Sequence, residues 1–163
     1  RNLFRYRPIP AVALRATADA SWQAVLRVVI AGLRAGSRLT LSAPVGLPAA
    51  VRRVLAEEDV VVFVETDEQW LERLTAVDIV AAAADADPEP PPARVRLIGQ
   101  ADSVAALHTV VAQAMGGDPD LAVYDNEVTT AGRLELLPFL HEQSVTITAH
   151  RFGNPDSWSE SVI

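Results

Sequence analysis

The feature that most constrains the fold is an alternation of short apolar segments with longer amphipathic ones. The apolar segments have the length of strands and are rich in Val, Leu and Ile, and the segments between them repeat apolar residues at helical spacing. This alternation is typical of a doubly wound, mainly parallel sheet. We therefore predict a single Rossmann-like α/β domain with helices on both faces. Its sheet is expected to contain residues 39–41, 60–64, 95–98, 121–124 and 145–148.

Capping signals delimit the predicted helices. Asp19 or Ser21 is suited to begin a helix that runs to about residue 35, and Gly36 is suited to end it. Thr66 and Gln69 have the spacing of a capping box, which predicts a helix to about residue 77. Two further helices are predicted over residues 48–57 and 102–115.

Four other segments are assigned from their apolar residues and prolines. Residues 11–16 and 79–84 are each short and apolar, which favours a strand, and the nearly unbroken apolar run at 60–65 predicts a strand covered on both faces. In residues 129–143, Pro138 either kinks one helix or begins a second short one.

The domain boundaries follow from composition. The proline-rich acidic stretch at residues 85–93 is interpreted as an extended connector inside one domain, because neither side of it completes a sheet. We divide the chain into a lead-in segment (1–10), an α/β domain (11–149) and a C-terminal tail (150–163). The chain begins without Met and in an extended pattern, so we expect it to be a fragment of a longer protein.

Composition excludes several kinds of chemistry. The chain has no Cys and all 14 of its basic residues are Arg, so it has neither a thiolate nucleophile nor a lysine for a P-loop or a Schiff base. Its net charge of −7 argues against a nucleic-acid partner. No apolar run has the length of a membrane span, and residues 1–10 lack a signal-peptide core, so we expect a cytoplasmic protein.

Cofactor and metal motifs are not found. Neither Gly36 nor Gly99 belongs to a dinucleotide fingerprint, and Ser42 lacks the surroundings of a hydrolase nucleophile. The three histidines are too dispersed for a metal motif. We interpret His108 as a hydrogen-bonded residue of the core or its boundary and His141 as a residue near a helix C-terminus, and His150 is the best of the three for a functional contact.

Three segments resemble a known family. HEQSVTITAHRFGNPDSWSE, the preceding TTAGRLELLPFL and the opening NLFRYRP are similar to the C-terminal end of bacterial proline utilization A, the bifunctional proline dehydrogenase/L-glutamate-γ-semialdehyde dehydrogenases. The resemblance implies a C-terminal accessory domain that is related to the aldehyde dehydrogenase superfamily but is not catalytic. At matching positions Ser42 replaces the superfamily's cofactor-binding lysine, and Gln100 and Ala101 replace the Ser and Thr that follow its glycine.

The resemblance also implies partners. The suspected parent is an oxidoreductase of proline catabolism that uses NAD and FAD in its other domains, and this chain is expected to hold no cofactor, metal or catalytic residue. Its expected partner is the aldehyde dehydrogenase domain of the same polypeptide, whose active site it would cover or buttress, and a homo-oligomer is a further possibility. The alternative is a free-standing α/β protein that binds a small molecule or a nucleotide.

The two ends of the chain carry the predicted contacts. Large apolar groups occur there among prolines and polar residues, and such groups commonly mark interfaces. Residues 3–7 have the pattern of a strand that adds to a sheet edge, and Arg151 is suited to pair with an acidic group. The candidate contact residues are Leu3, Phe4, Tyr6, His150, Arg151, Phe152, Trp158 and Ile163.

Overall fold

The computed structural model describes residues 2–83, 94–146, 150–151 and 154–155. Its strands are β1 (Asn2–Pro8), β2 (Ala11–Ala16), β3 (Arg38–Ala43), β4 (Val61–Val64), β5 (Arg94–Ile98), β6 (Ala122–Tyr124), β7 (Leu140–Thr146), β8 (His150–Arg151) and β9 (Asn154–Pro155). Its helices are α1 (Trp22–Ala35), α2 (Ala49–Glu57), α3 (Asp67–Ala83), α4 (Ala101–Ala114) and α5 (Gly132–Glu135), and a 3₁₀ turn follows at Leu137–Phe139.

The central sheet confirms the predicted fold class. It has five parallel strands in the order β4-β3-β2-β5-β6. The chain builds outward from β2 to β4, returns across the sheet to β5 and then adds β6. This order matches five strands of the doubly wound dinucleotide-binding fold.

Two apolar layers cover the two faces of this sheet. On one face Val12, Leu14 and Leu41 pack with the buried stripe of α1. On the other face the neighbouring residues of β2 and β5 point into a second cluster with Trp70 of α3 and Val111 of α4. Because successive strand residues face opposite sides, strands with so many consecutive apolar residues require helices on both.

The predicted helix ends are found at their capping residues. The Ser21 hydroxyl accepts the Ala24 N–H at 3.2 Å at the start of α1. Gly36 ends that helix with a left-handed φ of 87°, a conformation that favours glycine. The Thr66 and Gln69 side chains each accept the other's backbone N–H, at 3.3 and 3.0 Å, which confirms the capping box.

Three predictions about individual segments are wrong. Residues 79–83 continue α3 instead of forming a strand, because the helix begun by the capping box runs on without a breaker. Val145 and Thr146 belong to β7, which pairs antiparallel with β1 outside the parallel sheet. β4 is an edge strand whose Val61 and Val64 side chains are exposed, so it is not covered on both faces.

The segment around Pro138 follows one of the two alternatives. A single turn of helix, α5, is followed by the 3₁₀ turn with Pro138 at its start, and β7 begins directly afterwards. His141 therefore lies in a strand opposite Arg7, and its predicted place near a helix C-terminus is wrong.

Candidate functional site

The carboxyl ends of β2 and β5 form the place where a ligand is expected in this topology. The chain leaves β2 toward one side of the sheet and β5 toward the other, so a crevice opens between the loops that follow Ala16 and Ile98. Open α/β sheets bind ligands at this switch point, with phosphate groups at a helix N-terminus.

Side chains of the protein itself occupy this switch point. Oδ1 of Asp19 accepts the Thr17 hydroxyl at 2.5 Å and the backbone N–H of Gln100 at 3.2 Å, and Oδ2 accepts the Ser103 hydroxyl at 2.7 Å. Hydrogen bonds from Thr17, Ser103 and Gln100, in that order, hold the pKa of Asp19 below its ordinary value. The Asp19 carboxylate therefore stands ionised against the amino end of α4 at neutral pH.

Gly99 permits this closure. A Cβ atom on Gly99 would overlap the Thr17 hydroxyl and approach Oδ1 of Asp19 to 2.9 Å. The Thr17 hydroxyl oxygen also lies 3.2 Å from the Ile98 carbonyl oxygen, and the Thr17 N–H donates to that carbonyl at 2.8 Å. The absence of a side chain on Gly99 therefore leaves room for Thr17 from the neighbouring loop.

Arg15 occupies the other half of the carboxyl edge. Its guanidinium is fully buried and donates to the Ser42 hydroxyl at 2.5 Å, to the Glu65 carbonyl at 3.2 Å and to Asp67 at 2.5 Å. It also lies 5.4 Å from the centroid of the Trp70 ring, which is within reach of a cation–π contact. One cation thus joins the ends of β2, β3 and β4.

Glu65 extends the same network to Arg73. Burial alone would raise the pKa of Glu65, but hydrogen bonds from Arg73 at 2.6 Å and from Ser42 at 2.7 Å outweigh it and hold that pKa below its ordinary value. The Arg73 guanidinium lies 3.9 Å from the Phe63 ring centroid. Ser42, at the position of the superfamily's lysine in the resemblance, serves here as a hydrogen-bonding link between Arg15 and Glu65.

These residues do not fit a dinucleotide. The switch point presents a carboxylate where a pyrophosphate requires donors, and the buried donors of Arg15 are directed to groups of the protein itself. Arg15 links the carboxyl ends of β2, β3 and β4 by hydrogen bonds, and Asp19 links the loop after β2 to α4.

The second candidate surface is a two-stranded ribbon formed by β1 and β7. The strands pair over seven residues from Asn2↔Thr146 to Pro8↔Leu140, separately from the five-stranded sheet. Phe4 and Tyr6 lie on one face, and their side chains are 67% and 64% exposed. Arg5 lies on the opposite face and donates to Gln143 at 2.6 Å.

The root of the ribbon is fixed to the core. Ile9 is buried, and its N–H donates to the Phe139 carbonyl at 2.8 Å, while the Phe139 ring is fully buried beside α1. Arg94 donates to the carbonyls of Leu137, Pro138 and Leu140 at 2.8, 3.0 and 2.8 Å. The ribbon therefore leaves the domain at a rigid base and presents two exposed aromatic rings.

The structure places only part of the predicted contact set. Leu3, Phe4 and Tyr6 lie together on β1, where Leu3 is half-buried opposite Val145. His150 and Arg151 form β8, which pairs with β9 just beyond the ribbon in sequence. Phe152, Trp158 and Ile163 lie outside the described residues.

Besides Arg15, two further buried charges were missed by the sequence analysis. Arg96 and Glu135 are almost fully buried and form an ion pair at 3.3 Å. Arg96 also donates to the Asn126 carbonyl at 2.7 Å, and Glu135 accepts the Thr129 N–H at 2.6 Å. Burial lowers the pKa of Arg96, although Glu135 and Asp125 oppose that shift. The pair fastens the segment after β6 to the sheet, and the only signal for it in the sequence is an Arg inside an apolar strand.

His108 lies where the sequence predicted it. Its Nδ1 is 2.6 Å from Oδ2 of Asp125, and its side chain is 38% exposed at the edge of the second apolar cluster. It is a hydrogen-bonded residue of the core boundary.

Within the described part of the chain, no three potential metal-ligating side chains come together as a group. The helices of that same part include none with the length and apolar character needed to cross a bilayer.

Comparison with known proteins leaves the family open. No protein-family model matches the chain, and no curated protein is significantly similar to it.

Proposed function

We propose that this chain is a non-catalytic accessory domain that docks on the aldehyde dehydrogenase domain of a proline-catabolic enzyme and covers or buttresses its active site. The parent enzyme would oxidise proline and then L-glutamate-γ-semialdehyde with FAD and NAD bound elsewhere. The domain itself is proposed to be cytoplasmic and to contribute contacts without chemistry, and assembly into a homo-oligomer is part of the same proposal.

The exposed aromatic face of the ribbon carries this proposal. A two-stranded ribbon is at best marginally stable in water, and two aromatic rings more than half exposed add a cost of hydration that contact with a partner would remove. The ribbon contains NLFRYRP and the start of HEQSVTITAHRFGNPDSWSE, which are two of the three segments that resemble the family. The segments with the family pattern thus coincide with the surface suited to docking.

The outward face of α4 offers a second contact surface. Ala105, Ala106, Thr109 and Val110 are exposed there, and none of them is charged. Small uncharged side chains allow another element to approach closely without the desolvation of a charge.

The first experiment is to read the gene upstream of Arg1. An open reading frame that continues into a proline dehydrogenase and an aldehyde dehydrogenase supports the proposal. A start codon beside Arg1 would contradict it and favour the free-standing alternative.

The second experiment disrupts the ribbon in the full-length parent. The double variant Phe4→Ser/Tyr6→Ser is expected to lower semialdehyde oxidation at least tenfold or to change the subunit mass, whereas Ile30→Gln, which alters a side chain 63% exposed on α1, is the matched control. Thermal unfolding of each variant separates lost docking from lost folding. A parent that keeps its activity and assembly with both aromatic rings removed would contradict the proposal.

A further inference from the structure

The backbone N–H groups at the amino end of α4 face the switch point. The first N–H groups of a helix have no partner within the helix and carry partial positive charge, so they attract an anion. In this protein the N–H of Gln100, the N-cap residue immediately before α4, already has an anionic partner, Asp19. Asp19 lies far from it in sequence and comes from the loop after β2.

The geometry points to Asp19 as a built-in anion that takes the place of a ligand phosphate and converts the switch-point crevice into a structural joint. The carboxylate bridges the loop after β2, through Thr17, and the first turn of α4, through Gln100 and Ser103. All three donors face the single carboxylate. Gly99 allows the two loops to approach this closely.

The inference is independent of any partner enzyme. A phosphate brought to the Gln100 N–H would meet the charge of Asp19 and would have to compete with that carboxylate for its three donors. The carboxylate belongs to the same chain, so its hydrogen bonds cost no association entropy. The protein should therefore discriminate against phosphate-bearing ligands at this end of the sheet, although the topology is the one that binds them. Removal of the charge should restore an anion site.

Phosphate-dependent stability of charge variants tests this inference. In Asp19→Asn the amide keeps an acceptor for Gln100 and loses the charge, and in Asp19→Ala the N–H of Gln100 loses its partner. In about 100 mM phosphate, compared with chloride at equal ionic strength, we expect the Tm of these variants to rise by on the order of 3 °C. The unaltered protein should show no such rise. Asp102→Asn is the matched control. It also removes one negative charge near the start of α4, but it leaves the hydrogen bond between the Gln100 N–H and Asp19 in place.

A measurement on the unaltered protein keeps the inference testable if both Asp19 variants fail to fold. The amide resonance of Gln100 should follow the titration of Asp19 at a pH below the ordinary value for Asp, and it should not move when inorganic phosphate or NAD is added at neutral pH. A Gln100 resonance shifted by either ligand, or a Tm of the unaltered protein raised by phosphate, would overturn the inference. Folded variants that gain nothing from phosphate would overturn it equally.

Discussion

Single residues decide whether the two loops at the switch point can meet. Thr17 and Asp19 lie in one loop and Gly99 lies far from them in sequence, yet the three residues are in contact. The hydroxyl of Thr17 occupies the space that a side chain on Gly99 would need. At the point where this topology commonly binds a ligand, the protein's own side chains pack and form hydrogen bonds.

Substitution of Gly99 should be costly because of this contact. Gly99→Ala places a methyl group on the Thr17 hydroxyl and should lower the free energy of unfolding by about 1–3 kcal/mol, as overpacking does elsewhere. The double variant Gly99→Ala/Thr17→Ala should recover part of this loss. Gly46→Ala, with nothing within 4 Å of the new methyl group, is the control and should change stability by less than about 0.5 kcal/mol. Urea unfolding measures all four proteins, and an unaffected Gly99→Ala would refute the close approach.

The buried ion pair should be strongly coupled. Arg96→Met leaves Glu135 as an unpaired buried carboxylate, and Glu135→Leu leaves a buried guanidinium, so each should reduce the free energy of unfolding by about 3–5 kcal/mol. Arg96→Met/Glu135→Leu removes both charges and should cost less than the sum of the single changes. The double-mutant cycle gives the coupling energy, and additive effects would show that the two charges do not depend on each other.

At the scale of elements, the parallel sheet and the ribbon differ in what supports them. The central strands lie between two apolar layers, and Leu14, Leu41 and Leu97 are fully buried. The ribbon has one pairing partner per strand, and much of its surface is exposed. Local stability should therefore differ within one polypeptide.

Hydrogen exchange should separate these two elements. In the isolated domain the amide groups of β1 and β7 should exchange at least about a hundredfold faster than those of β2 and β5, because an unsupported ribbon opens without disruption of the core. Exchange followed residue by residue by NMR measures this difference. Equal protection across both would mean that the ribbon opens only together with the sheet. If the ribbon docks on a partner as proposed, exchange in β1 and β7 should slow when that partner is present.

The cap of α1 belongs to the same scale. Ser21→Ala removes the acceptor for the Ala24 N–H and should cost about 1 kcal/mol of unfolding free energy. Gln23→Ala, an exposed change in the first turn of the same helix, should have little effect or stabilise slightly. A shift in Tm measured by calorimetry distinguishes the two, and equal values would argue against the cap.

At the scale of the whole molecule, the domain has the strand order of a dinucleotide-binding fold, but polar groups at the carboxyl ends of its strands hydrogen-bond to one another. Arg15 and Asp19 lie in the two halves of the carboxyl edge. Arg15 donates to Asp67, and Asp19 accepts the Gln100 N–H. The surface suited to recognition is instead the ribbon, at a position set by Ile9, Arg94 and Phe139.

The purified domain should therefore neither bind NAD tightly nor oxidise aldehydes. The chain has no Cys for a thiohemiacetal, and the Asp19 carboxylate lies at its switch point, where a phosphate would need hydrogen-bond donors. Isothermal titration calorimetry with NAD and absorbance at the wavelength of NADH in the presence of semialdehyde provide the two measurements. Micromolar affinity for NAD, or turnover above background, would contradict the prediction.

The sequence by itself determined the features that depend on neighbours along the chain. The capping box of Thr66 and Gln69, the stop at Gly36 and the alternation of strands and helices were all readable, because periodicity and capping are local. The error at residues 79–83 has the same origin: a short apolar run has no period that distinguishes helix from strand.

Only the tertiary structure decided which segments meet. The pairing of β1 with β7, the closure of the switch point by Thr17 and Asp19, and the burial of Arg96 against Glu135 join residues that are separated by 39 to 144 positions. No local pattern carries that information, because each contact depends on where the sheet order brings two distant loops together. The candidate contact residues of β1 were found from their exposed apolar character, but the closed crevice required the fold, since its polar residues are common in any sequence.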